Sequence, residues 1–319
     1  MITVLTGGTG GAKFVDGLRQ IMPAENLAII VNTGDDLMWW GLYVSPDIDS
    51  ITYVLAGLLS RERGWGVKGD TFFCLQAMGQ LGQPIWFHTG DRDMAVHILR
   101  SKLLAEGKTL SEVTSHIADK LGVKAKLLPM SNSRVETRIG TPVGELSFEE
   151  YFVERWFQDP VESVRFAGAG DAEPAPGVLD AILSADTVIL APSNPITSIG
   201  PILAVPGVRE ALQRTKARIA AVSPIVDGAA VSGPAGILMA SQGLPISIAG
   251  VAQYYHDFLD LLVVDERDAE AAEELRKTGV RVFAAKTVMR TAEDKADLAH
   301  AVLEAVGGQS AAHAGPNHS

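Results

Sequence analysis

The chain has a single cysteine, Cys74, among 319 residues, which excludes an intrachain disulfide and a Cys-rich zinc site. It has no basic excess either: 27 Lys and Arg stand against 38 Asp and Glu, a formal charge of −11. Nucleic-acid and anionic-membrane binders usually present a basic face, so the balance argues against both. No apolar run reaches the ~18 residues of a membrane span, and the N-terminus lacks the charged flank of a signal peptide. The expectation is a soluble, cytoplasmic protein. Covalent catalysis also finds little material: there is no Gly-x-Ser-x-Gly elbow, and Cys74 sits in an apolar helical pattern. What the chain does have is 47% apolar residues, enough to fill one large α/β domain or two smaller ones.

The order of elements is legible from the start. Residues 1–6 (MITVLT) form a β-rich run that stops at Gly7-Gly8-Thr9-Gly10-Gly11. From Lys13 the apolar spacing turns helical through Phe14, Leu18 and Ile21, and a second strand follows at 27–31. Later strands are expected at 187–191, 218–223, 261–264 and 280–284. Helices are expected at 175–184, 208–214, 269–278 and 292–306. This alternation predicts an α/β fold, a Rossmann-like doubly wound and mostly parallel sheet. Residues 50–122 read as a helical insertion, with helices at 51–60, 71–81, 94–105 and 110–121. After a β segment at 125–129, strands at 135–139 and 144–148 read as a hairpin. The expected division is therefore a nucleotide-binding core at 1–49 and 123–306, an insertion at 50–122, and a disordered tail at 307–319.

Four polar segments carry candidate chemistry. The glycine loop lies between a strand and a helix, where backbone can approach an anion and unpaired N–H groups carry partial positive charge. Its spacing matches neither the G-x-x-x-x-G-K-[ST] loop nor a good G-x-G-x-x-G loop, which leaves nucleotide binding in general. Asp35-Asp36 ends the second strand, and Ser45-Pro46-Asp47-Ile48-Asp49-Ser50 follows. Pro46 disfavours helix at Ser45, so Asp47 and Asp49 are expected on an extended loop, pointing the same way and able to hold Mg²⁺. An N-cap for a helix at Ile51 is the plainer reading. Trp39, Trp40 and Trp65 sit in glycine-flanked loops, where indole either stacks on a planar ring or caps a core edge. In His88-Thr89-Gly90-Asp91-Arg92-Asp93, Arg92 grips a phosphate or carboxylate, or else pairs with Asp91 or Asp93. Finally, Pro192-Ser193-Asn194-Pro195-Ile196-Thr197-Ser198 follows a strand at the sheet's carboxyl edge and offers neutral donors and acceptors.

Taken together, TGGTGGAKFVDGL, VNTGDD, VSPDIDS, RGWGVKGDTF, HTGDRD and APSNPITSIGPI resemble the 2-phospho-L-lactate transferase family of coenzyme F420 biosynthesis, phosphoenolpyruvate transferases included. The resemblance runs from Met1 to about Val306. It implies a Mg²⁺-dependent, usually dimeric α/β enzyme. Such an enzyme moves a phosphorylated three-carbon acid, 2-phospholactate or phosphoenolpyruvate, from a guanosine-diphosphate-linked donor to the ribityl hydroxyl of the deazaflavin Fo. GMP is released and F420-0, or its dehydro form, is made.

Carried over by residue, the resemblance places Fo on Asp49 and His88, where some members carry lysine at the latter; Trp65 and Arg92 join them from the loop reading. The donor nucleotide falls on Gly8, Thr9, Gly10, Gly11, Lys13, Ser193, Asn194, Thr197 and Ser198. Asp47 and Asp49 become the candidates for catalysis and for Mg²⁺, and Asp49→Ala is expected to abolish transfer while sparing nucleotide binding. The alternative is a non-catalytic nucleotide-sugar-binding regulator of the gluconeogenesis-factor type, which shares a GGTG opening.

Overall fold

A computed structural model of the chain describes residues 1–307. β1 (Ile2–Thr6) leads through the glycine turn into α1 (Gly8–Ile21), and β2 (Leu27–Val31) follows. A hairpin, β3 (Leu37–Trp39) and β4 (Leu42–Val44), precedes four helices: α2 (Pro46–Leu55), α3 (Phe73–Gln80), α4 (Asp91–Ala105) and α5 (Leu110–Lys120). The chain then adds β5 (Lys126–Pro129) to the sheet that holds β1 and β2. Next come β6 (Glu136–Thr141), β7 (Gly144–Ser147) and β8 (Ser163–Ala167), which form a separate antiparallel sheet. In the second half come β9 (Thr187–Leu190), β10 (Arg218–Val222) and a short ribbon of β11 (Ile225–Val226) and β12 (Ala229–Ala230). β13 (Leu261–Asp265), β14 (Val282–Ala285) and a last helix at Ala292–Gly307 complete the fold.

The main sheet has the order β14-β13-β10-β9-β1-β2-β5, and every pairing in it is parallel. The expected doubly wound sheet is therefore the one that forms. Its strands are apolar on both faces because both faces are covered. Val4, Ile29, Ile189, Ala220 and Val263 pack with Phe14 and Leu18 of α1 and Leu298 and Val302 of the last helix. Leu5, Ile30, Leu190, Ala221 and Val264 face the other way, toward Ile202 and Leu238. Chain order reverses between β1 and β9, so the turns after these two strands flank a crevice at the sheet's carboxyl edge.

Local boundaries differ in instructive ways. α1 begins at Gly8, six residues before Phe14, the first apolar residue that marks its period; the glycines hide that turn from a hydrophobic pattern. The hairpin at 135–148 forms as β6 and β7, and β8 adds a third strand that the sequence reading did not foresee. Of the tail expected at 307–319, Gly307 closes the last helix, and the rest lies outside the described residues. No helix among the described residues is long and apolar enough to cross a membrane.

The ends of β13 and β14 are tied by one carboxylate. Asp265 accepts hydrogen bonds from the Thr287 N–H and Oγ1, both at 3.0 Å, and from Arg267 Nε at 2.6 Å. Burial works against its charge, yet these donors hold the Asp265 carboxyl down to about 2. A depressed carboxyl stabilises the fold above its unfolded value near 3.9 and stops doing so as pH falls through its folded value. Asp265→Asn is accordingly expected to lower stability at neutral pH and to flatten the loss between about pH 4 and pH 2. Thermal unfolding across that range checks it; parallel curves for the two proteins would refute the assignment.

Candidate functional site

The first turn of α1 is built by close approach. Gly8 has φ +66°, in the region that favours glycine, and a Cβ on Gly7 would lie 2.6 Å from Asp47 Oδ2. A Cβ on Gly10 would strike the Pro192 carbonyl, and one on Gly11 would sit 2.6 Å from Ser193 Oγ and strike Thr6 Oγ1. Much of the glycine content is thus explained by the β9 loop and Asp47 pressing on the turn. Gly8 N–H donates to Asp47 Oδ1 at 2.6 Å, and the next N–H groups of a helix's first turn have no partner within the helix.

Asp47 and Asp49 stand on α2, which starts at Pro46. Proline is well suited to the first helical position, so the expected extended loop is replaced by a helical turn. Residues two apart on a helix diverge, and the two carboxylates part accordingly. Asp47 faces the glycine turn and accepts from Asn32 Nδ2 at 2.9 Å. Asp49 faces the insertion and takes both terminal nitrogens of Arg100, with Nη1 at 3.0 Å from Oδ2. The pair therefore offers no shared bidentate face.

Around Asp47 lie three more buried carboxylates. Asp35 and Asp36 come from the turn after β2, and Glu149 comes from the chain after β7. Asn32 bridges two of the four, its amide donating to Asp35 Oδ2 and Asp47 Oδ2, both at 2.9 Å, and also to the Thr197 carbonyl (3.3 Å). Burial, followed by the charges of Asp47, Glu149 and Asp36, pushes Asp35 well above the usual carboxylate range. Burial lifts Asp36 to about 8 against the pull of Ser45 and Arg100. Glu149 also reaches about 8, through burial and the charges of Asp47 and Asp36. Asp47 rises only to about 6, because Gly8 N–H and Asn32 hold it down. Asp35 Oδ1 and Asp36 Oδ1 are buried without a hydrogen-bond partner. Hard oxygen donors, partly orphaned and mutually repelling, are the donor set a divalent cation such as Mg²⁺ prefers.

The other expected donor contacts divide. Ser193 Oγ donates to the Gly7 carbonyl at 2.7 Å, and Asn194 Oδ1 caps its own turn through Ile196 N–H at 3.0 Å, so both side chains are engaged within the protein. Ser198 is buried against Gly7 and Gly8, and Thr197 Oγ1 is buried without a partner. Thr9 is exposed. Lys13 lines a cleft of about 370 Å³ together with Arg267 and Arg290. This is a local basic patch in an acidic chain.

The aromatic residues divide in the same way. Trp39 is buried, stacked on Trp40 at 5.2 Å and edge-on to Trp86 at 4.8 Å, and Trp40 Nε1 donates to the Pro84 carbonyl. These two indoles close a core edge. Trp65 is half-buried, with Phe72 at 6.4 Å, His88 at 6.3 Å and the Arg63 guanidinium 5.4 Å over its ring. A Cβ on the adjacent Gly64 would come 3.9 Å from the Thr9 methyl, so this platform adjoins the glycine turn. Arg92 is exposed and pairs with neither Asp91 nor Asp93 among the described residues; its Nη1 reaches the Lys68 carbonyl at 3.4 Å. Asp91 instead caps α3 through Phe73 N–H and Cys74 N–H, while Asp70 caps α4 through Arg92 N–H and Asp93 N–H.

Asp35, Asp36, Glu149 and Arg63 were not chosen as site residues from the sequence. Asp35 and Asp36 were visible as a pair at a strand end, but Glu149 lies a hundred residues on, beyond any local signal. Asp49, His97 and Asp93 also converge, but Arg100 is buried among them. Its positive charge balances one carboxylate and makes this an ion-pair network.

That network alters what an Asp49 substitution reports. Asp49→Ala is expected to cost about 3–5 kcal/mol of stability by leaving Arg100 buried and unpaired. Asp49→Ala combined with Arg100→Met should recover a large part of it. Thermal unfolding of both variants is the check, and an unchanged melting temperature for Asp49→Ala would show that the pair carries no weight.

Across residues 2–305 the chain matches the family model described as 2-phospho-L-lactate transferase CofD. It is 40% identical over 302 residues to a 2-phospho-L-lactate transferase of Methanosarcina mazei, covering 95% of this chain and 99% of that one. A Streptomyces griseus phosphoenolpyruvate transferase is 41% identical over 309 residues, with 95% and 97% covered. A solved structure from the upf0052 family of Bacillus halodurans shares the fold at TM-score 0.63 and 19% identity, covering 95% of this chain and 98% of that one. With its length, its parallel sheet and its glycine-turn crevice all accounted for, the chain belongs to the 2-phospho-L-lactate transferase CofD family.

Proposed function

We propose that this chain is a transferase that moves a phosphorylated three-carbon acid from its guanosine-diphosphate-linked donor to the ribityl hydroxyl of the deazaflavin Fo. GMP leaves, and F420-0 or its dehydro form results. The observation that carries this reading is the contact of buried Asp47 with the first turn of α1 at the reversal point of the sheet, with the buried carboxyls of Asp35, Asp36 and Glu149 clustered behind it. Anionic phosphates and a cluster of carboxylates share a small space only when positive charge lies between them.

Asp35, Asp36 and Glu149 would hold Mg²⁺ beside Asp47, whose two oxygens already accept from Gly8 N–H and Asn32, and the ion's charge would offset that developing on the departing phosphate. The free N–H groups of α1 bind the donor's diphosphate. Lys13 supplies a further cation from the cleft it shares with Arg267 and Arg290. Trp65, Phe72 and His88 offer a stacking surface to the deazaflavin ring. The ribityl chain then runs toward Thr9 and Asp47, so that its hydroxyl meets the phosphorus opposite the leaving GMP. Asp47, lifted only to about 6, is largely ionised near neutral pH and is the carboxylate placed to orient that hydroxyl and accept its proton. Positioning and charge neutralisation provide most of the acceleration in such displacements.

Incubation with Fo, Mg²⁺ and guanylated phospholactate, phosphoenolpyruvate or phosphoglycerate donors tests the reading. GMP release matched to a new deazaflavin product is expected with one donor preferred; no GMP from any donor would leave a binder without catalysis. Asp47→Asn is expected to lower kcat by about 10²–10³-fold with the protein still folded.

Asp35→Asn separates charge from fold. Removing one of four repelling carboxylates should raise the metal-free melting temperature at pH 8, and the rise that Mg²⁺ gives the wild type should shrink or vanish. An equal Mg²⁺ response in both proteins would take Asp35 out of the metal site.

A further inference from the structure

One cation close to the glycine turn has no carboxylate beside it. Arg63 stands on the loop between α2 and α3. Two hydrogen bonds close the base of that loop, from Ser60 N–H to the Gly66 carbonyl at 2.9 Å and from Lys68 N–H to the Leu58 carbonyl at 2.7 Å. Gly64 and Gly66, at φ +78° and +67°, let it turn that tightly. The guanidinium carbon of Arg63 lies 5.4 Å from the Trp65 ring centre and 5.0 Å from that of Phe72. Two rings thus hold the planar group, and Nη2 fixes it further by donating to the Val67 carbonyl at 2.9 Å. Nε is buried without a partner, and Arg63 makes no ion pair among the described residues. An arginine held this firmly with donors left over, in a chain of 38 Asp and Glu, has the form of a preorganised anion receptor.

We propose that Arg63 binds the carboxylate of the three-carbon acid in transit and so sets the donor class, an inference that rests on the reaction read above. Position decides which anion it takes. The next residue, Gly64, approaches the Thr9 methyl of the glycine turn, and Trp65 and Phe72 belong to the aromatic platform. Arg63 therefore stands at the junction of the turn that takes the donor's diphosphate and the surface that takes the acceptor's ring. In a transfer, the group that changes hands occupies that junction. Its carboxylate plays no part in the displacement at phosphorus, yet it must come close to buried Asp35, Asp36, Asp47 and Glu149. A further negative group brought there needs a cation of its own. Arg100 is committed to Asp49, and Lys13 shares another cleft with Arg267 and Arg290. Arg92 is exposed, and no ring holds its guanidinium among the described residues. The fork of Arg63 matches the two oxygens of a carboxylate, whereas a carboxamide offers only one acceptor oxygen. Phospholactate, phosphoenolpyruvate and phosphoglycerate all carry this carboxylate, so Arg63 reads the class and leaves the choice within it to other atoms.

Equilibrium binding to the full-length protein, with Mg²⁺ and without Fo, tests it on three ligands: guanylated phospholactate, its carboxamide analogue and GDP. The wild type is expected to bind the carboxylate donor about 10–100-fold more tightly than the carboxamide. Arg63→Gln should bind the two donors alike. Arg63→Lys keeps a cation over the rings without the fork, and is expected to restore part of the preference even if the Gln variant folds poorly. GDP, which has no carboxylate, is the reference: an equal loss of affinity for all three ligands in Arg63→Gln would mark a phosphate or packing role and overturn the proposal. So would a preference that survives Arg63→Gln. GMP release in the presence of Fo, measured in parallel, separates the two readings. A wild type that turns over guanylated phospholactate but binds the carboxamide equally well takes the carboxylate away from Arg63 and leaves the reaction standing. A wild type that binds neither donor and releases no GMP removes the reaction, and this inference with it.

Discussion

A single hydrogen bond, from the Gly8 N–H to the Asp47 carboxylate, joins the two halves on which the site depends. On one side is the helix that the glycine turn starts, and on the other is the helix that opens the insertion. A negative side chain at a helix N-terminus is stabilised by the aligned peptide dipoles, so the contact favours the fold as well as the site. It also fixes a distance. Because Gly7 has no Cβ, Asp47 can lie against the turn, and Asn32 then has an acceptor on each side to bridge. A larger residue at Gly7 would open the crevice from its floor.

The molecule handles buried charge in two opposite ways a few residues apart on α2. Asp49 is neutralised inside the protein by Arg100, itself 1% exposed and also bonded weakly to the Tyr43 carbonyl. Asp47, two residues earlier, has neutral partners only, and burial holds its neighbours Asp35, Asp36 and Glu149 well above the usual carboxylate range. A fold that pairs Asp49 closely with Arg100, and gives the four-carboxyl cluster around Asp47 only Arg100's more distant pull on Asp36, has placed its instability in one spot. Strain of this kind tends to persist where function needs it. The difference between the two sites is thus a matter of charge balance, with burial alike in both.

Much of the architecture was legible because it is local and repetitive. Apolar strands of four to six residues, separated by helical periods and glycine or proline breaks, place nearly every strand of the main sheet within a residue or two. The site was legible only in part. The glycine turn and Asp47 do meet, and Trp65 does lie close by. What was misread is Pro46: its effect on the preceding residue suggested a loop, while its own suitability as a first helical residue governs, and one extended stretch became a turn with two diverging carboxylates. Ser193 and Asn194 have the right chemistry for a nucleotide and use it on Gly7 and on their own turn. Glu149 and Arg100 come from elsewhere in the chain, and only the folded arrangement brings them in.

The crossed caps of the insertion have a consequence for how this region opens. Asp91, the first residue of α4, holds the start of α3, while Asp70, just ahead of α3, holds the start of α4. Neither helix keeps its own cap when the other frays, so the pair forms one cooperative unit. His88 hangs on the chain between them, and Trp65 and Phe72, the rest of the aromatic platform, lie just ahead of α3. Any loosening of that platform is therefore shared by two helices at once, and the region gains or loses its order in a single step.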